Sequence, residues 1–507
     1  MDVLALIPTH LGSQKDRFRA SRVCRRWRRT FLQHTALWSL ILPKGKDYIK
    51  NLLERTKEAP LDIITHYGAP VGTAELFFPH AQRIKYLNFM HNCWIDVQRF
   101  SEANSEPFPL LHTLEINADK DSGSFAGRPD PTIPPSFPLF TSAVNLKRFV
   151  LHSHKSPFLN HFVFPNLTTF KLSVAREEEG FWAFRALELL DFLEASPVLQ
   201  NVDVGIAPTI SLEDVAQGRV VVLPNVKTFA LGAKDGASGY KLAAHISCPS
   251  ASSTLLKREE WAKDMIPGRD MFMFPTAAPW DAIVRQYTRS PVEVITLEID
   301  PPQDFTITCT LAFRSLDTTV IEFRLCIIGD IDDRNEFQMT LEDMALEVFS
   351  RASKTIQDHP LLLNVKHLHI GYKASILNLV QLRSLVNEAG RLFRSVGPLD
   401  RLTLRGCDTR LWFAPFLGFL EFEDMEQPTA LPLIKELTIS HPLTMGDEEG
   451  RMAAIVELAK SQHALGIPFR RVTVRAEGLP AEMAEMLGPW VGEADCHDEP
   501  ITQTRNE

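Results

Sequence analysis

A six-residue pattern, apolar-x-x-apolar-x-apolar, recurs along most of this chain and constrains its fold more than any other feature. On its own the pattern is weak, because with 45% apolar residues it should arise roughly 45 times by chance in 507 residues. The units that matter are therefore those with further punctuation. We assign twelve, beginning at Ile84, Leu111, Leu146, Leu167, Leu199, Val226, Val294, Val320, Val365, Leu399, Ile434 and Phe469.

Proline supplies that punctuation. It stands two residues before the first apolar position in five of the twelve units, against about 0.8 expected by chance from 34 prolines in 507 residues. A proline there ends the preceding helix, and it lacks an N–H group that the strand does not yet need. These prolines are Pro109, Pro165, Pro197, Pro224 and Pro432.

Amphipathic stretches precede several units, for example residues 179–197 before Leu199 and residues 451–468 before Phe469. The central apolar residues lie 21 to 35 positions apart over most of the chain. This order of helix, proline and strand is typical of degenerate leucine-rich repeats. We therefore expect an α/β fold in which residues 51–492 form a curved leucine-rich-repeat-like solenoid, with an irregular insertion near 232–290 and a disordered tail over 493–507.

Residues 1–50 differ from the rest. Val23, Cys24 and Trp27 share one face of a short helical stretch, arginines fill the remainder of the turn, and a Leu37-Trp38 pair follows. A one-sided apolar stripe on so short a piece cannot be buried by the piece alone. We expect a small all-α module here.

This segment resembles the second half of an F-box, with a Cys-Arg-x-Trp-Arg helix and a later Leu-Trp. With the degenerate repeats, the chain resembles the large F-box families of mushroom-forming fungi. The resemblance implies binding to a Skp-type adaptor and through it to a cullin-RING ubiquitin ligase. An F-box usually opens with Leu-Pro, which is missing, so we expect an N-terminally truncated module. The implied adaptor-binding residues are Leu4, Ile7, Val23, Cys24, Trp27, Leu37 and Trp38.

Other interpretations of the head stay open. The arginines between Arg17 and Arg29 also suit a nuclear localisation or nucleic-acid patch, or a plain charged surface. The tryptophans also suit ordinary core packing. The missing Leu-Pro and the internal Pro8 favour a non-ligase repeat scaffold whose F-box has decayed.

The solenoid prediction also locates a target-binding surface. Side chains alternate along a strand, so the residue between the last two apolar positions of a unit faces away from the core. We expect these residues to lie on the concave face and bind a protein target: Glu115, Lys171, Asp203, Glu298, Arg324, His369 and Thr403.

The sequence shows no motif for chemistry. Residues 1–50 carry a net charge of +8 within an overall −9, so the acidic remainder argues against a nucleic-acid-binding body. Seven scattered cysteines show neither zinc nor disulfide spacing, and the histidine pair His367 and His369 has no third ligand in sight. No signal peptide or apolar membrane span is visible. We expect a non-enzymatic cytoplasmic or nuclear protein without catalytic residues, metal or cofactor.

Overall fold

A computed structural model describes residue 16 and residues 19–42, 45–65, 74–90, 97, 108–118, 140–153, 158–175, 183–207, 209–233, 236–261, 292–303, 306–315, 320–328, 365–372, 398–405, 433–441, 448–476, 479 and 482–498. The chain divides into two compact units. Unit 1 comprises residues 1–231 and 245–250, and unit 2 comprises residues 232–244 and 251–507.

The described helices are short, apart from the fifth. Apolar residues of α2, among them Ile49, Leu52 and Leu53, are buried, as is the stripe of Leu189, Leu190 and Leu193 in α3. The predicted amphipathic stretches before Leu199 and Phe469 correspond to α3 and α5. The helices are α1 (Arg25–Gln33), α2 (Lys46–Thr56), α3 (Ala186–Glu194), α4 (Gly236–Ala243), α5 (Glu448–Ala464) and α6 (Met483–Leu487).

Unit 1 is built on a run of parallel strands in chain order, with β1 beside β2, β2 beside β3, and so on through β4, β5, β6 and β8. β11 follows beside β8, while β7 pairs with β9 and β10 with β12. The strands are β1 (Leu40–Ile41), β2 (Leu61–Thr65), β3 (Ile84–Phe89), β4 (Thr113–Ala118), β5 (Arg148–Ser153), β6 (Thr169–Val174), β7 (Phe184–Arg185), β8 (Asn201–Ile206), β9 (Ile210–Ser211), β10 (Val221–Val222), β11 (Thr228–Ala233) and β12 (Ile246–Ser247).

The predicted apolar positions explain these strands. In β6, for example, Phe170 and Leu172 are buried, and Leu167 just before the strand is buried too. This repeat unit thus sends three apolar side chains inward, while alternate residues face outward. Parallel strands need a crossover connection, and in unit 1 a proline before β4, β6, β8 and β11 ends that connection at the same place.

Asparagine side chains join neighbouring repeats within unit 1 at one recurring position. The amide of Asn145 donates to the carbonyl of Pro109, and Asn166 donates to the carbonyl of Val144, both at 2.9 Å. Asn225 donates to the carbonyl of Pro197 at 3.1 Å. Each asparagine directly precedes the first apolar residue of its unit, so the same bond recurs from unit to unit.

Phenylalanine dominates the centre of the unit 1 core. The Phe149 ring lies 4.9 Å from Phe162, 5.2 Å from Phe164, 5.9 Å from Phe170 and 6.0 Å from Phe192, measured between ring centroids. Stacked, tilted and edge-to-face rings at these distances add attraction beyond the burial of area.

Unit 2 combines a parallel series with an antiparallel meander. β14, β17, β18, β19, β20 and β21 are parallel in that order, whereas β15 is antiparallel to both β14 and β16, and β16 is parallel to β13. The strands are β13 (Ser253–Trp261), β14 (Val292–Gln303), β15 (Thr306–Ser315), β16 (Val320–Ile328), β17 (His367–Tyr372), β18 (Leu399–Arg405), β19 (Ile434–His441), β20 (Arg471–Ala476) and β21 (Glu493–Asp498).

The prediction of a mixed α/β fold after an N-terminal helical segment is confirmed, with parallel strands as its basis. The prediction of a disordered tail from Glu493 is wrong for Glu493–Asp498, because these residues form β21 and hydrogen bond in parallel register with β20. They are poor in apolar side chains, so pattern reasoning missed a strand held by backbone pairing. Residues 499–507 of the predicted tail and residues 262–290 of the predicted insertion lie outside the described residues.

Candidate functional site

The head presents a small exposed surface around the start of α1. The backbone of Cys24 is extended, with φ at −157°, and its carbonyl accepts the first helical bond from the N–H of Arg28 at 2.9 Å. Val23 is 65% exposed, Cys24 is exposed and Trp27 is half-buried. These three predicted adaptor-binding residues therefore have surface to offer, while Leu4 and Ile7 lie outside the described residues.

Leu37 and Trp38 lie in the interior instead. They belong to a 3₁₀ helix over Thr35–Trp38, and their side chains are 6% and 0% exposed. The guanidinium carbon of Arg55, on α2, lies 5.0 Å from the centroid of the Trp38 ring, within range of a cation–π contact. Both residues consequently act in the packing of the head against α2, and their adaptor contact stays a prediction.

The end of the head is also the first strand of the unit 1 sheet. Leu40 and Ile41 pair in parallel with Asp62 and Ile63 of β2. The N–H of Asp62 donates to the carbonyl of Ser39 at 2.9 Å. The head is therefore joined to the strands that follow by backbone hydrogen bonds.

On unit 1, three predicted target-binding positions share one row across the sheet. We call Asn88, Glu115, Val150, Lys171 and Asp203 the middle row of unit 1, since the strand registers align them. The structure thus brings Glu115, Lys171 and Asp203 together. Lys171 and Asp203 form an ion pair at 3.2 Å, and Val150, between Glu115 and Lys171, is only 4% exposed.

Glu115 is held by a hydrogen-bonded cluster. Its Oε2 accepts from the Tyr86 hydroxyl at 2.8 Å and from the Asn88 amide at 2.9 Å, and its Oε1 lies 3.7 Å from Nε of Arg148. Burial raises the pKa of Tyr86, and the Asn88 amide that donates to its hydroxyl opposes that shift. Glu115 is therefore a preorganised, partly neutralised carboxylate.

On unit 2, His369 and Thr403 share a row, but two other predicted positions fall elsewhere. We call Thr296, His369, Thr403, Thr438, Thr473 and Asp495 the middle row of unit 2. Glu298 aligns with Gly371, two residues beyond this row. Val294 and Ile295 are both apolar, so the pattern fitted either phase, and strand pairing selects the one with Ile295 opposite Leu368.

Arg324 departs from the prediction more strongly. It lies on β16, where it pairs with Thr310 of an antiparallel strand and with Lys257 of a parallel one. The antiparallel pairing of β15 with β16 explains the departure. Arg324 therefore lies outside the parallel series that carries His369 and Thr403.

Ion pairs join neighbouring strands on the outward face of unit 2. Arg401 pairs with Glu436 at 2.6 Å, and Arg471 pairs with Asp495 at 2.8 Å. His497 Nε2 also lies 2.8 Å from Asp495. The arginine hydrogen bonds lower the pKa of the Glu436 and Asp495 carboxyls, so both acids stay ionised to lower pH than usual.

Sequence reasoning overlooked the next row along the same strands. Two residues beyond the middle row lie Gly371, Arg405, Ser440, Arg475 and His497, which we call the carboxyl-end row of unit 2. The two arginines are exposed. The period of two that selected the middle row also selects this one, so the signal was present in the sequence.

Two observations on the described residues concern metal binding and thiol chemistry. Among them, no group of three His, Cys, Asp or Glu side chains is placed to hold a metal ion. Burial raises the pKa of the Cys248 thiol to about 12, so it stays protonated and unreactive at neutral pH. Within the same residues, no helix is both long and apolar enough to cross a membrane.

Comparison with known proteins identifies the head. Residues 1–42 match a family model described as F-box-like, and they constitute an F-box-like domain of this chain. No curated protein matches the chain. Among solved structures, InlP of Listeria monocytogenes is similar over 58% of this chain and 90% of its own, at 10% identity and a TM-score of 0.16.

Proposed function

We propose that this protein is the substrate-recognition subunit of an SCF-type ubiquitin ligase. The F-box-like domain at residues 1–42 carries the proposal. The head binds a Skp-type adaptor and through it a cullin-RING ligase, and the sheets bind a protein target for ubiquitin-dependent degradation. The protein acts by proximity in the cytoplasm or nucleus and supplies no catalytic group of its own.

The head geometry supports adaptor binding at α1. Val23 and Cys24 are exposed beside the half-buried Trp27, where a partner can cover all three. Interfaces concentrate their energy in such aromatic and aliphatic anchors. Arg25, Arg26 and Arg28 surround them and are exposed, which suits a partner with acidic groups at the rim.

The strands support a repeat architecture in the body. Successive units reuse one backbone bond, in which the N–H of Thr169, Asn201 or Thr228 donates to the carbonyl of Lys147, Thr168 or Gln200. We propose that this array is a leucine-rich-repeat-like solenoid of the kind found in fungal F-box families. Its outward polar rows, including Glu115, Lys171, Asp203, His369 and Thr403, provide the target-binding face.

A matched pair of surface substitutions tests adaptor binding. Val23→Asp with Trp27→Ala removes the exposed anchors, and we expect at least about tenfold weaker binding of purified Skp-type adaptor, or about 1.4 kcal/mol. Leu465→Asp is the control, because Leu465 is 61% exposed but lies far along the chain, after α5. Wild-type affinity in the first variant, with its folding verified by circular dichroism, would refute the proposed interface.

A second function, a repeat scaffold with a decayed F-box, is supported by one observation. Leu37 and Trp38, two implied adaptor contacts, are buried against α2. If the head serves only to close the first end of the sheet, wild-type protein will not bind the adaptor. Trp38→Ala will then reduce stability without any effect on a ligase partner.

A further inference from the structure

Thr30 lies on α1 beside the surface proposed for adaptor binding. It follows Trp27 by three residues, so the two side chains share one face of the helix. Thr30 is half-buried, and its carbonyl accepts a hydrogen bond from the N–H of His34 at 3.2 Å. Within the described residues, its hydroxyl has no hydrogen-bond partner. A hydroxyl oxygen that is not committed to the fold therefore lies next to Trp27.

Arginines precede Thr30 in the sequence. Arg25, Arg28 and Arg29 are all exposed. No carboxylate of the described residues forms an ion pair with any of these three, and residues 19–42 contain neither aspartate nor glutamate. Protein kinases select their substrates by the pattern of charge around the hydroxyl. This segment therefore has the composition of a substrate for an arginine-directed kinase.

The helix can open at little cost, which matters because a kinase binds its substrate as an extended segment. α1 has nine residues, fewer than an isolated helix needs to be stable in water. Arg25 repels Arg28 and Arg29, which lie three and four residues farther along the helix. None of the α1 side chains whose burial the structure describes is fully buried. Few buried contacts mean a low free energy of local opening.

We propose that an arginine-directed protein kinase phosphorylates Thr30 and that the phosphate releases the adaptor. The inference rests on the proposed function and supplies its regulation. The kinase, with ATP and Mg²⁺, transfers the γ-phosphoryl group to the hydroxyl oxygen of Thr30. A P–O bond forms at Oγ1 while the bond from the γ-phosphorus to the bridging oxygen breaks. The hydroxyl proton passes to the catalytic carboxylate of the kinase, and ADP leaves.

The position of the phosphate explains the release. A phosphothreonine carries about −1.5 to −2 charge at pH 7. On the face of Trp27 this charge has to be desolvated beneath a bound partner, a cost that the hydroxyl does not impose. The exposed arginines of α1 suit a partner with acidic groups, and those groups repel the phosphate. Thr30 also lies in the last turn of α1, where the helix dipole disfavours negative charge.

Neighbouring hydroxyl groups suit a kinase less well. Ser21 is only 8% exposed. Thr35 begins the 3₁₀ helix, and the four residues before it contain no arginine. Thr30 is the one serine or threonine in the sequence of α1. The charge pattern and the position on the helix therefore single out Thr30 within the head.

Kinase treatment of the full chain tests the modification. The chain is incubated with MgATP and the catalytic domain of either cAMP-dependent protein kinase or protein kinase C, and mass spectrometry locates the phosphate. We expect Thr30 to be the main site in the head. Arg28→Gln with Arg29→Gln should reduce phosphate at Thr30 at least about tenfold, because the charge pattern is lost. Lys46→Gln with Lys50→Gln removes the same charge from the exposed side of α2 and should change it less than about twofold.

Adaptor binding before and after kinase treatment tests the release. The phosphorylated chain should bind purified Skp-type adaptor at least about tenfold more weakly than the untreated chain, and phosphatase should restore the affinity. Thr30→Val should bind the adaptor equally before and after treatment. Thr30→Glu carries part of the charge and should weaken binding. Gln33→Glu is its matched control, because Gln33 is exposed in the same turn on a different face of the helix, and it should change the affinity less than about threefold.

The possible results separate this inference from the proposed function. Thr30 left unmodified by both kinases, an adaptor affinity that is the same with and without the phosphate, or equal losses for Thr30→Glu and Gln33→Glu would overturn the inference. An untreated chain that fails to bind the adaptor would refute the ligase function and the release with it. The phosphate measurement would still decide whether Thr30 is a modification site.

Discussion

The two units carry outward faces of different character on strands of the same design. In the unit 1 middle row, charges are matched in place, with Glu115 near Arg148 and Lys171 paired with Asp203. In unit 2, ion pairs such as that of Arg401 with Glu436 lie beside the carboxyl-end row, which carries two arginines and no carboxylate of its own. The buried inward residues hold each strand in place, so the outward residues can differ between the two units.

The cores differ as well, and the largest expected effect comes from that difference. Phe149 and Leu402 occupy equivalent positions, and both are fully buried. Phe149→Ala should cost about 4 kcal/mol and Leu402→Ala about 3 kcal/mol, because the lost ring contacts add to the cavity. Hydrogen exchange of β5 and of β18 measures each opening free energy, with the half-exposed Val163→Ala as control. A larger loss for Leu402→Ala would contradict the idea that the phenylalanine cluster holds unit 1.

The asparagine hydrogen bonds between neighbouring repeats of unit 1 should have a smaller effect on stability. Asn166→Ala removes the amide that donates to the carbonyl of Val144 and should cost about 1 kcal/mol. Asn166→Asp keeps the shape but cannot donate, so it should lose at least as much. Urea unfolding of both variants provides the check. An unchanged unfolding midpoint in both variants would mean that these hydrogen bonds do not stabilise the packing of neighbouring repeats.

Acid should change the stability of the two units in opposite directions. Burial raises the pKa of Asp62 and Glu188 in unit 1, whereas hydrogen bonds from basic side chains lower the pKa of Asp400, Glu436 and Asp495 in unit 2. A carboxyl group whose pKa is lowered in the folded state stabilises the fold at pH values above its ordinary pKa of about 4. That stabilisation is lost as the pH falls through the pKa of the folded state. A carboxyl group whose pKa is raised by burial has the opposite effect on stability, because its protonation removes the cost of burying a charge.

Unit 2 should therefore weaken relative to unit 1 as pH falls below about 4. Hydrogen exchange at pH 7 and pH 3.5, corrected with unfolded peptides, compares residues 399–405 and 434–441 with residues 148–153 and 169–174. Protection should fall more in the first pair. If unit 1 opened first, the opposing pKa shifts would not govern acid stability.

Single ion pairs should have the smallest effect. Arg401→Gln in unit 2 and Lys171→Gln in unit 1 should each cost less than about 1 kcal/mol, because both pairs are largely exposed to solvent. Thermal unfolding at low and high salt measures this cost. A loss above about 2 kcal/mol in either variant would show that these faces are built for stability and not for recognition.

The strands were predictable because their inward positions obey a simple rule. Phe149 and Leu151, or Leu402 and Leu404, had to be apolar, and a proline marked the approach to five of the twelve repeat units. The phase at Val294 was not predictable, since two adjacent apolar residues satisfy the pattern and only pairing with β17 distinguishes them. β21 was missed because its hydrogen bonds depend on β20 and not on apolar side chains.

The candidate site was predictable in part for a similar reason. Alternation identified His369 and Thr403 as outward neighbours, but not the arginines two residues farther on, because nothing in one strand shows which outward row matters. In the head, a sequence motif cannot distinguish the buried Trp38 from the half-buried Trp27. That distinction depends on α2, which lies beyond the motif.

One measurement tests the receptor assignment most directly. The full chain is mixed with a purified Skp-type adaptor at about 10 μM, well above the dissociation constant of a specific complex, and analysed by size-exclusion chromatography with light scattering. The account predicts a single species with the summed mass of one chain and one adaptor, which is lost on Val23→Asp with Trp27→Ala and kept on Leu465→Asp. Two separate peaks for the folded wild-type chain would contradict it and leave a repeat scaffold without a ligase.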